Sequence, residues 1–494
     1  MVGAAIGVLV AAPNARGQAS PPSTPTVVQS ADTGAPRTLE VLLRRIQRLL
    51  DSSGTPGASL AIVRHDSVLF AGALGLARQD PPQRATAATH FRAGSTGKLF
   101  IGLTALALVR EGRLVLDQPL REAWPGLVVR NPWEATHPLR LIHLLEHTAG
   151  LDDSSIRAYA SNDPLLSLEQ GLAIDAGRLA ARWPPGTRFA YSNVGPAIVA
   201  HVIERIEGVP FEQVVQRRWF DRLGMRSATY FEPDPFAGTM ATLYLPGRRA
   251  PVPYWHVFAR PIGALNTTAP DMAALLRLLT GRGIVDGDTL IPPADLDRAE
   301  YSRTWSGTRH GLSGVGYGLT LYRTDGDDGR IWAGHAGGVE GGLSDLSYLP
   351  TEGRGYSLQV NATRSRALAL MSAQVRAFLT ADLPPPARPA IATPAADFAA
   401  RFTGWYRPIT PRPQIVAAVE RLIGLARVRL ATDSLRVEPL IGTASSYVPV
   451  DSLTFRPPRG EAATLVFHRD DPLTTSAVME GFSGGATFAR VPLL

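Results

Sequence analysis

The sequence predicts an α+β fold: an antiparallel sheet flanked by helices with an all-α subdomain inserted, followed by a small C-terminal all-β domain. Three observations carry that prediction. Strand-like runs lie near both ends of residues 38–380, a helix-patterned stretch from about 113 to 260 separates them, and a proline-rich segment at 381–395 sets this region apart from short β-type runs in 396–494. At 494 residues the chain exceeds what one hydrophobic core normally organises, so two domains are expected.

Taken in order, Val2–Ala12 is a short apolar run followed by polar residues, with Gly17 and Ala19 suited to the small-residue rule for cleavage. Residues 1–19 therefore read as a signal peptide lacking a positive n-region, and the protein is expected to be exported, periplasmic or secreted. Residues 20–37, rich in Ser, Pro and Thr, read as a linker. Leu39, Leu42, Leu43, Ile46, Leu49 and Leu50 recur at helical spacing, and Ala58–Val63 and Val68–Ala71 flank Arg64-His-Asp-Ser67 as a β-hairpin. Leu99–Val109 is a continuous apolar run stopped by Glu111-Gly112, which predicts a buried helix too short to span a bilayer. Strands are expected at Gly318–Tyr322, Arg330–Gly334, Leu343–Tyr348 and Tyr356–Val360, then a helix from about Arg366 to Leu379. Beyond the proline-rich linker, Ala426–Leu430, Ser446–Val450 and Ala463–Phe467 predict a small β-barrel or sandwich, an accessory domain of 396–494.

Composition narrows the function. The net charge of +7 comes from arginines scattered at wide spacing, not from blocks, which argues against a nucleic-acid-binding stripe. The expected partner is a small-molecule or peptide substrate, with no nucleic acid and no integral membrane segment once the signal is cleaved; a mildly basic surface also suits contact with cell-wall material. There is no cysteine, which excludes disulfides, thiol nucleophiles and cysteine-ligated metals.

Lys98 is the only lysine among the 50 Lys and Arg residues, and it follows Ser95 by three positions. An amine can lose its proton when desolvated, whereas a guanidinium does not. A serine hydroxyl needs a base before it attacks, and an amine one helical turn away is such a base. Further along, Tyr191-Ser-Asn193 offers a phenol that can shuttle a proton and an amide that can orient lysine or substrate. Later still, His335 stands among glycines in a strand-like run, where Gly337 and Gly338 permit close backbone approach.

In this order, Ser95-Thr-Gly-Lys98, Tyr191-Ser-Asn193 and His335-Ala-Gly337 resemble the motif set of the serine β-lactamase and penicillin-binding-protein family, in its class C β-lactamase, D-alanyl-D-alanine carboxypeptidase and esterase branch. The resemblance runs from about residue 38 to 380 and includes His147-Thr-Ala-Gly-Leu151, Pro184-Pro-Gly-Thr187, Gly263–Thr268 and Gly316-Tyr-Gly318. It implies a β-lactamase/transpeptidase-like fold and a serine hydrolase needing no cofactor. Ser95 would attack a carbonyl, with Lys98 and Tyr191 sharing the general-base role. Asn193 would bond the substrate amide or Lys98, His335 and Gly337 would line the substrate site, and the N–H groups of Ser95 and Gly338 would form the oxyanion hole. The third motif carries His335 where many β-lactamases have a lysine that holds the substrate carboxylate, which favours carboxypeptidase or esterase chemistry over strong β-lactamase activity. Asn361-Ala-Thr-Arg364 falls near where class C enzymes place an Asn and an Arg by that carboxylate, and reads equally as a surface turn.

Rival patterns are weaker. His143-Leu-Leu-Glu-His147 fits a zinc signature without a third ligand, so no metal is expected and a structural helix ending at Gly150 is. Gly481-Phe-Ser-Gly-Gly485 fits a nucleophile elbow but leaves no room for the helix that must follow. Gly94-Ser-Thr-Gly-Lys98 has Arg92 where a phosphate loop needs its first glycine. The alternative function is a penicillin-recognising binding or sensor module that acylates with negligible turnover.

Overall fold

A computed structural model describes residues 34–494 except 235–237, 249, 413–416, 432–433, 482–485 and 492–494. The expected export segment and most of the linker after it lie outside these residues. Among the described residues no helix is long and apolar enough to cross a membrane.

Helix α1 (Leu39–Ser53) begins at Thr38, whose side chain accepts from Val41 N, and stops at Gly54 in the left-handed region. It buries Leu42, Ile46 and Leu50. Strands β1 (Gly57–Arg64) and β2 (Ser67–Arg78) form the expected hairpin, and β3 (Gln83–Arg84) extends it. Helix α2 (Leu99–Arg110), helix α3 (Val194–Glu207) and helix α4 (Ala269–Thr280) follow, the first two in the helical insertion and its approach. The chain then returns to the sheet with β4 (Gly316–Tyr317), β5 (Tyr322–Asp325), β6 (Ile331–Val339), β7 (Gly342–Leu349) and β8 (Arg354–Val360), and closes with α5 (Ser365–Thr380). Strand order is β4-β5-β6-β7-β8-β1-β2-β3, with antiparallel pairing throughout.

Strand alternation explains how β1, an interior strand of the sheet, is buried on both faces. Ala58, Leu60 and Ile62 pack with α1 and α5 residues such as Ile46 and Met371, whereas Ala61 and Val63 face the core shared with α2, α3 and α4. The α+β class and the small β domain expected from the sequence are what the structure shows.

One expected strand is corrected. Gly318–Leu321 is a turn between β4 and β5, with Thr320 at φ 68° and Leu319 and Leu321 fully buried. An apolar run normally signals a strand here, but this turn tip plugs the core against Gly102 of α2, where a Cβ would stand 2.2 Å from Leu319 O. Asn361 also departs from both expectations, being neither at a surface turn nor free for a ligand. It is fully buried, accepts from Gly57 N at 2.8 Å, and donates to Leu76 O, Ala77 O and Thr242 O, so it clips the β1–β2 end of the sheet.

The C-terminal strands β9 (Gly404–Pro408), β10 (Ala426–Leu430), β11 (Leu435–Pro439), β12 (Ser445–Pro449), β13 (Thr454–Arg456), β14 (Leu465–His468), β15 (Val478–Gly481) and β16 (Ala486–Arg490) form a closed barrel. Phe398, Phe402, Phe455 and Phe467 fill it. The barrel docks on the wall next to β4–β6. Arg188 donates two charge-assisted hydrogen bonds to Asp471, Glu461 accepts from Ile331 N at 2.6 Å, the His310 and His468 rings stack at 3.9 Å, and Val466 joins Phe189, Trp305 and Tyr317 in one apolar cluster.

The Arg188–Asp471 side chains are only 7% and 4% exposed, so removing one partner strands a buried charge at a cost of about 3–5 kcal/mol. Asp471→Ala is therefore expected to lower the thermal midpoint by several degrees in scanning calorimetry. An unchanged thermogram would show that docking does not depend on this pair.

Candidate active site

The segment leading to Ser95 is pinned before the turn forms. Phe91–Arg92 pairs antiparallel with Asn266–Thr267, and Ala93 N donates to Leu265 O at 2.9 Å. Residues Gly94–Lys98 then make one 3-10 turn that runs into α2, where the sequence had suggested the first turn of the α-helix itself. The difference matters for geometry. In a 3-10 turn side chains three apart eclipse, so Lys98 lies directly over Ser95.

Lys98 is 0% exposed, and its Nζ is 2.9 Å from Ser95 Oγ and 2.7 Å from Ile262 O. Burial drives the lysine well below its usual value, the Arg412 charge pushes the same way, and Asp153 opposes them. Tyr191 lies beside this pair, with Lys98 Nζ 5.3 Å from its ring centre. Burial raises the phenol to about 12, against the opposing influence of the Arg412 charge and the Ser95 hydroxyl. No full hydrogen bond to the Tyr191 hydroxyl forms among the described residues.

Asn193 precedes α3 and faces Asp153 instead of Lys98. Its backbone N–H donates to Asp153 Oδ1 at 2.9 Å and its Nδ2 to Oδ2 at 3.4 Å. His335 lies on β6, 2% exposed, with burial and then the Lys98 charge lowering it to about 3. Its Nδ1 bonds Ala336 O, which can only accept, so Nδ1 carries the proton and Nε2 accepts from Tyr317 OH at 2.6 Å. The imidazole is therefore neutral at ordinary pH.

Two glycines allow β6 to meet the serine turn. A Cβ on Gly337 would stand 2.0 Å from Ala93 O, and one on Gly94 would stand 2.8 Å from Gly338 N. Ser344 Oγ donates to Ala93 O at 2.7 Å, and Thr96 Oγ1 lies 3.0 Å from Ser344 Oγ, which ties the turn to β6 and β7. Strand β5 pairs with β6 only as far as Gly334, so the β6 edge at Gly338 is open, and Gly338 is exposed.

Sequence reasoning did not find several residues that complete the site. The His147 ring packs at a tilt 4.2 Å from that of Tyr191 and accepts from Ser192 N, and burial followed by the Lys98 charge keeps it well below its ordinary value. Tyr317 orients His335. Asp153 sits just beyond the His147–Leu151 segment, and no sequence motif marks it. Arg412 comes from the barrel, with its Cζ 4.5 Å from the Tyr191 ring centre, and no sequence motif marks it.

The zinc-like pattern is dispersed by other partners. Glu146 is fully buried and bonds Arg298, Arg303 N, Thr304 N and Thr304 Oγ1, and His143 Nδ1 accepts from Arg140 N. The helix itself is Leu141–Leu145. Among the described residues no group of three or more His, Asp or Glu side chains is arranged to hold a metal ion. The elbow-like serine at 483 lies outside the described residues.

Penicillin-binding protein 4 of Amycolatopsis lactamdurans is 26% identical over 321 residues, covering 63% of this chain and 81% of that protein. The esterase EstB of Burkholderia gladioli is 30% identical over 194 residues, covering 37% of this chain and 49% of its own length. The structure of the octameric penicillin-binding protein homologue from Pyrococcus abyssi superposes with a TM-score of 0.57 at 20% identity, covering 92% of this chain and all of that one, which shows a shared fold. The sequence family described as Beta-lactamase matches residues 42–380, a span that holds Ser95, Lys98, Tyr191 and His335, and the chain belongs to that family.

Proposed function

We propose that this protein is a serine hydrolase that cleaves an amide or ester through an acyl-enzyme on Ser95, its substrate a D-amino-acid peptide, a carboxylic ester or a β-lactam. The observation that carries the reading is the 2.9 Å contact of a wholly buried lysine amine with the Ser95 hydroxyl. Burial favours the neutral amine. One of its N–H bonds goes to Ile262 O, which leaves the lone pair to take the Ser95 proton as Oγ bonds to the carbonyl carbon.

Tyr191, held protonated, is better suited to donate than to accept. In this scheme it passes a proton to the departing amine or alkoxide and is restored from Lys98. Its buried hydroxyl, which makes no full hydrogen bond among the described residues, is then partnered by substrate. The N–H groups of Ser95 and Gly338 stabilise the oxyanion, and the Asn193 amide, steadied by Asp153, holds the acyl side of the substrate. Water next attacks the ester carbon, the Ser95 C–O bond breaks, and the proton returns to Oγ. A neutral His335 leaves the third motif without a fixed cation of its own. Action on cell-wall peptide after export fits the same reading.

Incubation with p-nitrophenyl acetate followed by intact mass and peptide mapping is expected to show an acetyl group on Ser95, absent in Ser95→Ala. An adduct that persists for hours instead of decaying would make the protein an acylating sensor, and no adduct at all would remove the reading. Lys98→Arg keeps a positive charge and removes the base, so kcat/KM is expected to fall by about 100-fold or more. Because Lys98 is the only lysine, isotope-labelled lysine yields one side-chain signal. Its titration is expected well below the usual 10.4, with acylation rising as pH climbs through that midpoint. A midpoint near 10.4 would leave Lys98 as a charge only.

A further inference from the structure

Segment Pro411–Arg412, which follows strand β9 of the barrel, reaches the Ser95 site. Arg182 Nη1 donates to Pro411 O at 2.7 Å, and the Arg182 guanidinium lies 4.4 Å from the Trp183 ring centre. Arg412 Nε donates to Asp153 Oδ2 at 2.9 Å while its Cζ stands 4.5 Å from the Tyr191 ring centre. Asp153 is fully buried and also accepts from Ser154 N at 2.8 Å and from Asn193, so its charge is spread over several N–H groups. Only the ε N–H of Arg412 is used. Its two terminal NH2 groups have no side-chain or backbone acceptor among the described residues, and the side chain is 20% exposed.

The other groups that might supply a positive charge near Ser95 are pushed toward their neutral forms by burial. Burial lowers Lys98 and His147 well below their ordinary values and His335 to about 3. A guanidinium does not deprotonate in proteins. Among the described residues Arg412 is the arginine in contact with Tyr191, and its planar fork matches a carboxylate in two parallel hydrogen bonds.

We infer that the C-terminal barrel completes the active site by presenting Arg412 as the receptor for a carboxylate on the substrate, so that the preferred substrate carries an anionic group close to the scissile bond. This rests on the acyl-enzyme reading, and it assigns the accessory domain to substrate selection. The class it picks out is a peptide or acylated amino acid with a free carboxylate, in preference to a neutral ester. The cation absent from the third motif thus comes from the second domain.

Binding separates this inference from turnover. In Ser95→Ala protein, calorimetry with N-acetyl-D-alanine and N-acetyl-D-alaninamide is expected to show the carboxylate bound about tenfold more tightly. Adding Arg412→Ala is expected to bring the two within about threefold, and Arg412→Lys to recover part of the preference, since an ammonium keeps the charge without the fork. No preference in the Ser95→Ala protein, or a preference that survives in both Arg412 variants, overturns the inference. The p-nitrophenyl acetate adduct on unaltered protein tests the acyl-enzyme reading separately, because that ester carries no carboxylate.

Discussion

Lys98 Nζ is wholly buried, bonded to Ser95 Oγ and Ile262 O, and no carboxylate touches it among the described residues. Taking an ammonium into such a place costs several kcal/mol, and the group responds by favouring its neutral form. Everything around it answers to that constraint. The 260–268 segment must be fixed to offer Ile262 O, and it is, through Asn266–Thr267 pairing with Phe91–Arg92. The turn at Gly94–Lys98 must be tight enough to stack Lys98 over Ser95. Strand β6 must come close enough to exclude water, which only glycine permits at 337.

The imidazoles obey the same rule. His147 and His335 share the buried space with Lys98, and two or three cations there would repel one another at low dielectric. Burial and then the Lys98 charge lower both imidazoles, with His335 accepting from Tyr317 and His147 accepting from Ser192 N. The fixed charges are paired with each other, the buried Asp153 with the Arg412 guanidinium. The barrel is thus coupled to the hydrolase domain at two depths. A buried ion pair and an apolar cluster hold it against the wall that carries Tyr191, and one guanidinium projects past that wall to Tyr191 itself.

Much of the site was legible in the chain because its chemistry is local in sequence. Ser95 and Lys98 are three apart, Tyr191 and Asn193 two apart, and His335 and Gly337 two apart, so motif spacing carries the geometry. The partners that tune them are not local. Asp153 meets Asn193 across 40 positions, Tyr317 meets His335 across 18, and Arg412 meets Asp153 across 259. Hydropathy misled at Gly318–Leu321 because burial, not pairing, made that turn apolar. Asn361 misled in the opposite sense, being a polar residue after a strand that satisfies backbone groups inside the protein.

By itself the sequence determined the α+β class, the division into a larger domain and a smaller β domain, and the order of three short motifs around one lysine, since periodicity and spacing act over a few residues. The tertiary structure alone decided how those motifs behave. It buried the amine so that its pKa falls, set the His335 tautomer through Tyr317, turned Asn193 toward Asp153, and brought Arg412 from the barrel to Tyr191. Desolvation and long-range contact arise only when distant segments pack together, and no window along the chain contains them.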